Sequence, residues 1–555
     1  MAYTDADLVA RTGLTNASTY QIDIFRHIAE QVDNILNRKP TKGALVRAVA
    51  GSGKTTTVVA AAKIIPQSLR VCFLAFNKNI ADELKDRLPS YVDAKTLNSL
   101  GWGICKRYAD GVAGSRIGFN DFNNPRKVWN IVRREYDRKK VQQYGRDVVY
   151  LVNLAKTYGI VPASLEGNDH QSANGLRDDD ATWASLLRHH GYSIDPVYFP
   201  TVIKMAREVL LHNLADEVST DFADQKYFPV VKCPDGHPLP GPKYDIIIID
   251  EAQDVSSVDL ELVKICLKAG GLVVAVGDPN QGIYGFRGAD TKAFDRFRKE
   301  FDGVDLPLSI SYRCARKIVE TARMVHATIE AAPNAREGEV AHVSLAPKDH
   351  HVGDMVLCRN NAPLIGYAYD LIRNRVPVFL KGRDIGKGLL TLLDNLDANT
   401  VVDAANRLTM WEDNQIRMIE QDDPDDVEAK AKVRDRADTL RVFITENADN
   451  SLDTLRNEIE TMFVTNGTDK SDGYEMKGKV ILSTIHKAKG LEANTVYFLD
   501  SFLMYPKYVV EGSWQYEQEK NLEYVAITRA MESLYFITTK GNKEVVKEDK
   551  EKDDE

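Results

Sequence analysis

The sequence predicts an α/β protein of two tandem domains, each a parallel sheet covered by helices and each carrying a mainly helical insertion. Three observations carry this: short β-rich apolar runs alternate with amphipathic stretches, the alternation occurs twice, and each series is broken by a segment without the strand pattern. In the first half the strand candidates are Leu45 to Ala50, Arg70 to Phe76, Tyr244 to Asp250 and Leu272 to Gly277. In the second they are Met355 to Arg359, Val376 to Lys381, Lys479 to Ile485, Thr495 to Leu499 and Leu534 to Thr538. A chain of 555 residues exceeds what one core normally holds, so several domains are expected. The patterning assigns residues 1–104 and 206–300 to the first domain and 105–205 to its insertion. Residues 301–386 and 478–540 form the second domain, and 387–477 form a shorter, acid-rich satellite. The tail, 541–555, is almost wholly charged and too poor in apolar groups to fold.

Composition narrows the function classes. With 43% hydrophobic and 28% charged residues the chain resembles an ordinary soluble protein. No apolar run approaches the roughly 20 residues that span a bilayer, and Met1 to Ala10 carries acids where a leader would be basic and apolar. No membrane partner is expected, and the protein is expected to act in the compartment where it is made. The six cysteines (Cys72, Cys105, Cys233, Cys266, Cys314 and Cys358) lack CxxC spacing and read as buried free thiols of a reducing compartment. Cys233 with His237 makes half a zinc site; with no second pair, a loop is the expectation. A net charge of -9 argues against coating nucleic acid by bulk attraction but leaves room for a local basic track.

The strongest local signal is Ala48-Val49-Ala50-Gly51-Ser52-Gly53-Lys54-Thr55, placed between an apolar strand and a helix-forming run. Glycines there let backbone N–H groups face phosphates, helped by the positive end of the following helix. Lys54 is expected to reach the β- and γ-phosphates of ATP and Thr55 to hold Mg²⁺, with Ser52 and Thr56 beside them. The first position is Ala48 where the generic motif has glycine. A second requirement is an acidic pair ending a buried strand, and Tyr244 to Asp254, with four consecutive isoleucines before Asp250-Glu251, supplies it. Asp250 is expected to orient the Mg²⁺ shell and Glu251 to polarise a water for in-line attack. A solvated acidic loop is disfavoured, because so apolar a run rarely ends in two carboxylates without a cation to meet.

At Asp250-Glu251-Ala252-Gln253-Asp254 the chain resembles the UvrD/Rep/PcrA group of superfamily 1 DNA helicases, among them compact phage-type forms and the helicase part of F-box DNA helicases. Matching motifs run in the family's order from about Gln21 to Ala530. The resemblance implies two RecA-like P-loop domains with ATP hydrolysed at the cleft between them, Mg²⁺ as cofactor, and movement 3′ to 5′ on single-stranded DNA. Gln21 resembles the adenine-reading glutamine. In Gly277 to Ala289, Gln281 resembles the γ-phosphate sensor and Phe286 a base-stacking aromatic. Ser311-Tyr312-Arg313 implies that Tyr312 stacks on adenine and Arg313 meets the γ-phosphate. Thr484 to Glu492 resembles the family's next motif, which implies that Glu492 approaches the nucleotide, and Tyr524 to Ala530 resembles the last, which implies that Arg529 is the arginine finger.

The same resemblance places DNA on Phe76, Asn77 and Lys78 and on Thr96, Asn98 and Ser99, with Asn98 standing where relatives usually carry histidine. Arg359 and His486 resemble strand contacts of the second domain. Arg126-Lys127, Arg133-Arg134 and Arg138-Lys139-Lys140, with Trp129 and Tyr136, fit either duplex phosphates or a solvated helix face, and both readings stay open. Asp221-Phe222-Ala223-Asp224-Gln225 is assigned to packing between the first domain and its insertion. The expected partners are single-stranded DNA and single-strand/duplex junctions, with replication, repair or recombination proteins in attendance, and the protein is expected to work as a monomer in the cytoplasm, near the nucleoid or in a phage host. Only about 25 residues follow Ala530, so an attached nuclease is not expected. The alternative is an ATP-switched remodeller that strips or loads proteins on DNA without net unwinding.

Overall fold

In the computed structural model the described residues are 3–113, 118–119, 129–130, 138–162, 176–189, 194, 197–216, 219–231, 239–283, 293–344, 346–422, 427–463, 476–506 and 509–538. They fall into two compact units, Met1–Ser309 and Ile310–Glu555.

The first unit is built on six strands, β1 (Ala44–Ala48), β2 (Val71–Ala75), β3 (Val92–Thr96), β4 (Tyr244–Ile249), β5 (Leu267–Gly277) and β6 (Val304–Leu308). They lie in the order β3-β2-β4-β5-β1-β6, and every pairing is parallel. The central strands are near-continuous apolar runs because helices cover both faces of such a sheet; all five residues of β2 and the four isoleucines of β4 are buried. The strand-by-strand reading overlooks β3 and β6, which are the two edges. Val92-Asp93-Ala94-Lys95-Thr96 and Val304-Asp305-Leu306-Pro307-Leu308 carry the charges and the proline that an edge tolerates and a centre does not. Because β6 pairs with β1, this unit extends beyond residue 300 to Ser309.

Three long helices, Arg138–Tyr158, Asp180–His189 and Phe199–Ala215, supply most of a separate core around Val148, Leu151, Trp183, Val202 and Val209. This core is joined to the sheet-bearing part by a buried ion cluster. Lys156, fully buried, places Nζ 2.9 Å from Asp221 Oδ2 and 2.6 Å from Asp224 Oδ1. Burial and the Asp221 charge push the Asp224 carboxyl above the ordinary range, against the pull of Lys156.

The second unit repeats the plan with β7 (Glu339–His342), β8 (Met355–Cys358), β9 (Val378–Lys381), β10 (Val480–Thr484), β11 (Ala493–Leu499) and β12 (Ala530–Ile537). Their order is β7-β12-β11-β8-β10-β9, again all parallel. Helices Val401–Asp422, Val427–Glu446 and Leu452–Met462 do not stand off as a satellite. Leu408, Leu440, Phe443 and Ile459 share one core with Val356, Leu380 and Val480 of the sheet. The apolar periodicity of these helices announces a buried face but not the surface it meets.

Five cysteines, Cys72, Cys105, Cys266, Cys314 and Cys358, are buried free thiols; Cys233 lies outside the described residues. Burial pushes Cys72 and Cys358 up to about 12, so both stay protonated and unreactive at neutral pH. Among the described residues no helix is long and apolar enough to cross a membrane.

Candidate nucleotide and nucleic-acid site

The phosphate loop joins β1 to the helix Lys54–Ala62. Gly51 and Gly53 take left-handed backbone conformations (φ 71° and 76°) that residues with a Cβ rarely adopt, and open space faces Gly53. Ser52 is buried and donates to the Val49 carbonyl at 2.8 Å, which pins the loop from within, and Val49 N–H donates to Leu308 O at 3.1 Å. Ala48 and Ala50 are buried, while Thr56 is exposed. Gln21 caps its own helix: its Oε1 accepts from Ser18 N–H at 2.9 Å and its Nε2 donates to Thr57 Oγ1, also at 2.9 Å. Thr57 in turn donates to Gly53 O at 2.9 Å, so Gln21 braces the loop through Thr57.

Opposite the loop, β4 delivers the acidic pair. Thr55 donates to Asp250 Oδ2 at 3.3 Å, and Lys54 Nζ lies 3.3 Å from Glu251 Oε1. Burial would lower the Lys54 ammonium, but Glu251, Asp278 and Asp250 outweigh it and hold its pKa above the usual lysine value. Burial, with Glu251 adding to it, raises Asp250. Asp278, fully buried, is raised by desolvation to about 6 against the pull of Lys54, and its Oδ2 accepts from Gln281 Nε2 at 2.9 Å. One lysine therefore faces three carboxylates, a balance suited to sharing with a divalent cation and a polyanionic phosphate chain. A hydroxyl and a carboxylate oxygen within 3.3 Å are the hard donors that Mg²⁺ takes alongside phosphate oxygens. The residues present thus fit Mg²⁺ held by Thr55 and Asp250.

In the second unit Tyr312 is half exposed, at 52%, and Arg313 pairs with Glu492 at 2.6 Å. Arg529 is buried; its Nε donates to Val525 O at 3.2 Å and its Nη1 to Leu491 O at 3.0 Å. Arg359 makes a two-pronged pair with the buried Glu519 at 2.8 to 3.1 Å. His486 sits half-buried on the short helix Ile485–Ala488 that follows β10.

The candidate DNA residues of the first unit gather at the strand ends. Phe76, Asn77 and Lys78 are exposed after β2, with Asn77 Oδ1 accepting from Ile80 N–H at 2.9 Å to cap the next helix. Thr96 and Ser99 form a reciprocal capping box after β3. Asn98 donates to Phe222 O at 2.8 Å and to Gln225 Oε1 at 3.2 Å, so its amide is committed to the Asp221–Gln225 turn. That turn does more than pack. Asp221 and Asp224 point inward to Lys156, whereas Phe222 is 52% exposed and, with Phe76 at 48% and Asn98, lines a cavity of about 320 Å³. The alternation of inward acids with an outward aromatic in Asp-Phe-Ala-Asp is the signal that could have revealed Phe222. Phe286 and most of the basic stretch Arg126–Lys140 lie outside the described residues.

A left-handed glycine loop, a lysine and threonine at the head of its helix, and an acidic pair on the neighbouring strand define a P-loop nucleotide-binding protein. Family comparison makes the class narrower. Residues 241–302 match the UvrD/REP helicase N-terminal domain, 398–541 match the UvrD-like helicase C-terminal domain, and 15–113 match the type III restriction enzyme res subunit. Stretches in both halves of the chain are thus similar to UvrD/Rep-type helicase domains. It is 24% identical to F-box DNA helicase 1 of Gallus gallus across 91% of this chain and 48% of that protein. It is 24% identical to F-box DNA helicase protein 1 of Schizosaccharomyces pombe across 89% of this chain and 55% of that protein. ATP-dependent DNA helicase Rep of Salmonella typhimurium is 22% identical across 91% of this chain and 90% of its own length. The chain thus spans about half the length of the F-box helicases it matches.

Proposed function

We propose that this protein is an ATP-dependent DNA helicase that moves 3′ to 5′ along single-stranded DNA and unwinds duplex ahead of it. The observation that carries the proposal is the grouping of Lys54, Thr55, Asp250, Glu251 and Asp278 around one phosphate loop, with Gln281 bonded to Asp278. Lys54 holds the β- and γ-phosphates, and Glu251 takes up the proton of the attacking water. Mg²⁺, when bound by Thr55 and Asp250, neutralises charge developing on the phosphate oxygens. Gln281 reports on the γ-phosphate. Family resemblance supports Tyr312 as the adenine stack, Glu492 as a nucleotide contact, Arg313 and Arg529 as γ-phosphate partners, and the polarity. Arg359 and His486 are assigned to the DNA path on the same ground. Gln21 acts on the nucleotide through the loop it braces.

ATP turnover measured with and without single-stranded DNA, beside unwinding of 3′- and 5′-tailed duplexes, tests the reading. DNA-stimulated turnover and unwinding from the 3′ tail alone are the expected results. Unwinding only from the 5′ tail overturns the polarity, and stimulated turnover with no strand displacement favours the ATP-switched remodeller.

Phe76 and Phe222 present aromatic faces on which bases stack without regard to sequence. Phe222→Ala and Phe76→Ala are each expected to weaken single-stranded DNA binding by about 1–3 kcal/mol, on the order of 5- to 150-fold in Kd. Fluorescence anisotropy with a labelled oligonucleotide reads this directly; wild-type affinity in both variants removes these aromatics from the DNA path.

A further inference from the structure

The two parts of the site that act on the γ-phosphate, Glu251 and the turn carrying Gln281, sit on different strand ends. One side chain spans them. Gln253 is 4% exposed; its Nε2 donates to Glu251 Oε2 while its Oε1 accepts the Asp278 backbone N–H at 3.0 Å. Asp278 then holds the rest of the turn, Oδ1 accepting from Asn280 N–H at 3.0 Å and Oδ2 from Gln281 Nε2 at 2.9 Å. A continuous hydrogen-bonded series thus runs Glu251, Gln253, Asp278, Gln281.

Two further features show that the fold is shaped around this bridge. A Cβ on Gly277 would lie 2.1 Å from Gln253 Oε1 and 2.9 Å from Ala252 N, so only glycine at the end of β5 admits the glutamine. Glu251 itself adopts φ 53°, ψ 43°, a left-handed conformation that costs a non-glycine residue, and the following short helix Ala252–Asp254 brings Gln253 back under its carboxylate. The amide donates to the carboxylate through its nitrogen and accepts the backbone N–H through its oxygen, without adding a charge. Leucine has the shape without either bond, and glutamate keeps the acceptor but sets a second negative charge against Glu251.

We propose that Gln253 is a positioning residue that ties the carboxylate of Glu251 to the Asp278–Gln281 turn, so that the base and the γ-phosphate sensor move as one body during ATP turnover. The inference rests on the helicase reading above. It is tested on the full chain by steady-state ATP turnover at saturating single-stranded DNA, with thermal melting as a check on folding, for wild type, Gln253→Leu, Gln253→Glu, Gln281→Ala and the Gln253→Leu/Gln281→Ala double variant. Both Gln253 variants are expected to lose kcat on the order of 10- to 100-fold with KM for ATP within about threefold, as misplacement of a catalytic group does. The double variant is expected to be no slower than the slower single, because both substitutions cut the same series. Losses that multiply in the double variant, a KM effect at unchanged kcat, or wild-type turnover in Gln253→Glu each overturn the proposal. A wild type without ATP turnover instead sinks the helicase reading itself.

Discussion

Glu251→Gln is expected to lower the rate of ATP hydrolysis by about 10²- to 10⁴-fold, the range lost when a positioned general base is removed. The substitution changes one oxygen for an amide nitrogen and leaves the shape of the site alone. Lys54 keeps Asp250 and Asp278 as electrostatic partners. Nucleotide binding should persist or tighten, since one negative charge is removed from a pocket that receives a polyanion. Binding of a fluorescent ATP analogue and single-turnover hydrolysis separate the two effects. Turnover within about threefold of wild type would show that Glu251 is not the base.

The second large effect concerns stability. Lys156→Met removes the only cation within the Lys156–Asp221–Asp224 cluster and leaves two buried carboxylates facing each other. Breaking a buried pair in this way costs about 3–5 kcal/mol, which lowers the thermal midpoint on the order of 10 °C for a unit of this size. The pH dependence has a definite sign. The Asp224 carboxyl is raised in the folded protein, so between the ordinary value of 3.8 and its raised value the folded state holds more protons than the unfolded chain. Its contribution to stability therefore falls as pH rises through that window. The variant removes the lysine that opposes the shift, so its deficit should be largest near pH 8 and shrink toward pH 5. Lys156→Met combined with Asp221→Asn and Asp224→Asn should recover most of the loss, because no uncompensated charge remains. Equal midpoints for wild type and Lys156→Met across this pH range would count against a stabilising cluster.

The parts of the site that were legible in the sequence are those whose chemistry is fixed by spacing along the chain. Lys54 and Thr55 must follow the glycines at the head of a helix, and Asp250-Glu251 must end a strand buried on both faces. What was not legible depends on partners distant in sequence. Gln253 stands in the sequence as part of the Asp250–Asp254 string with no role of its own until the Asp278 N–H is brought to its side-chain oxygen. Lys156 resembles a solvated helix charge until Asp221, 65 residues away, closes over it. Asn98 and Arg359, both expected to contact DNA, spend donors on protein, one on Phe222 and Gln225 and the other on Glu519. Edge strands escape notice for a different reason: the polar residues that protect an edge erase the apolar pattern by which a strand is recognised.

The left-handed turn at Glu251 sets the interests of folding against those of chemistry. A backbone held there by a residue with a side chain gives up roughly 1–3 kcal/mol that glycine would return. Random substitution at position 251 therefore has an easy route to a tougher but idle polypeptide, and selection for catalysis must keep closing it. A heat-challenge screen of variant libraries should enrich glycine at that position, in clones that no longer consume fuel.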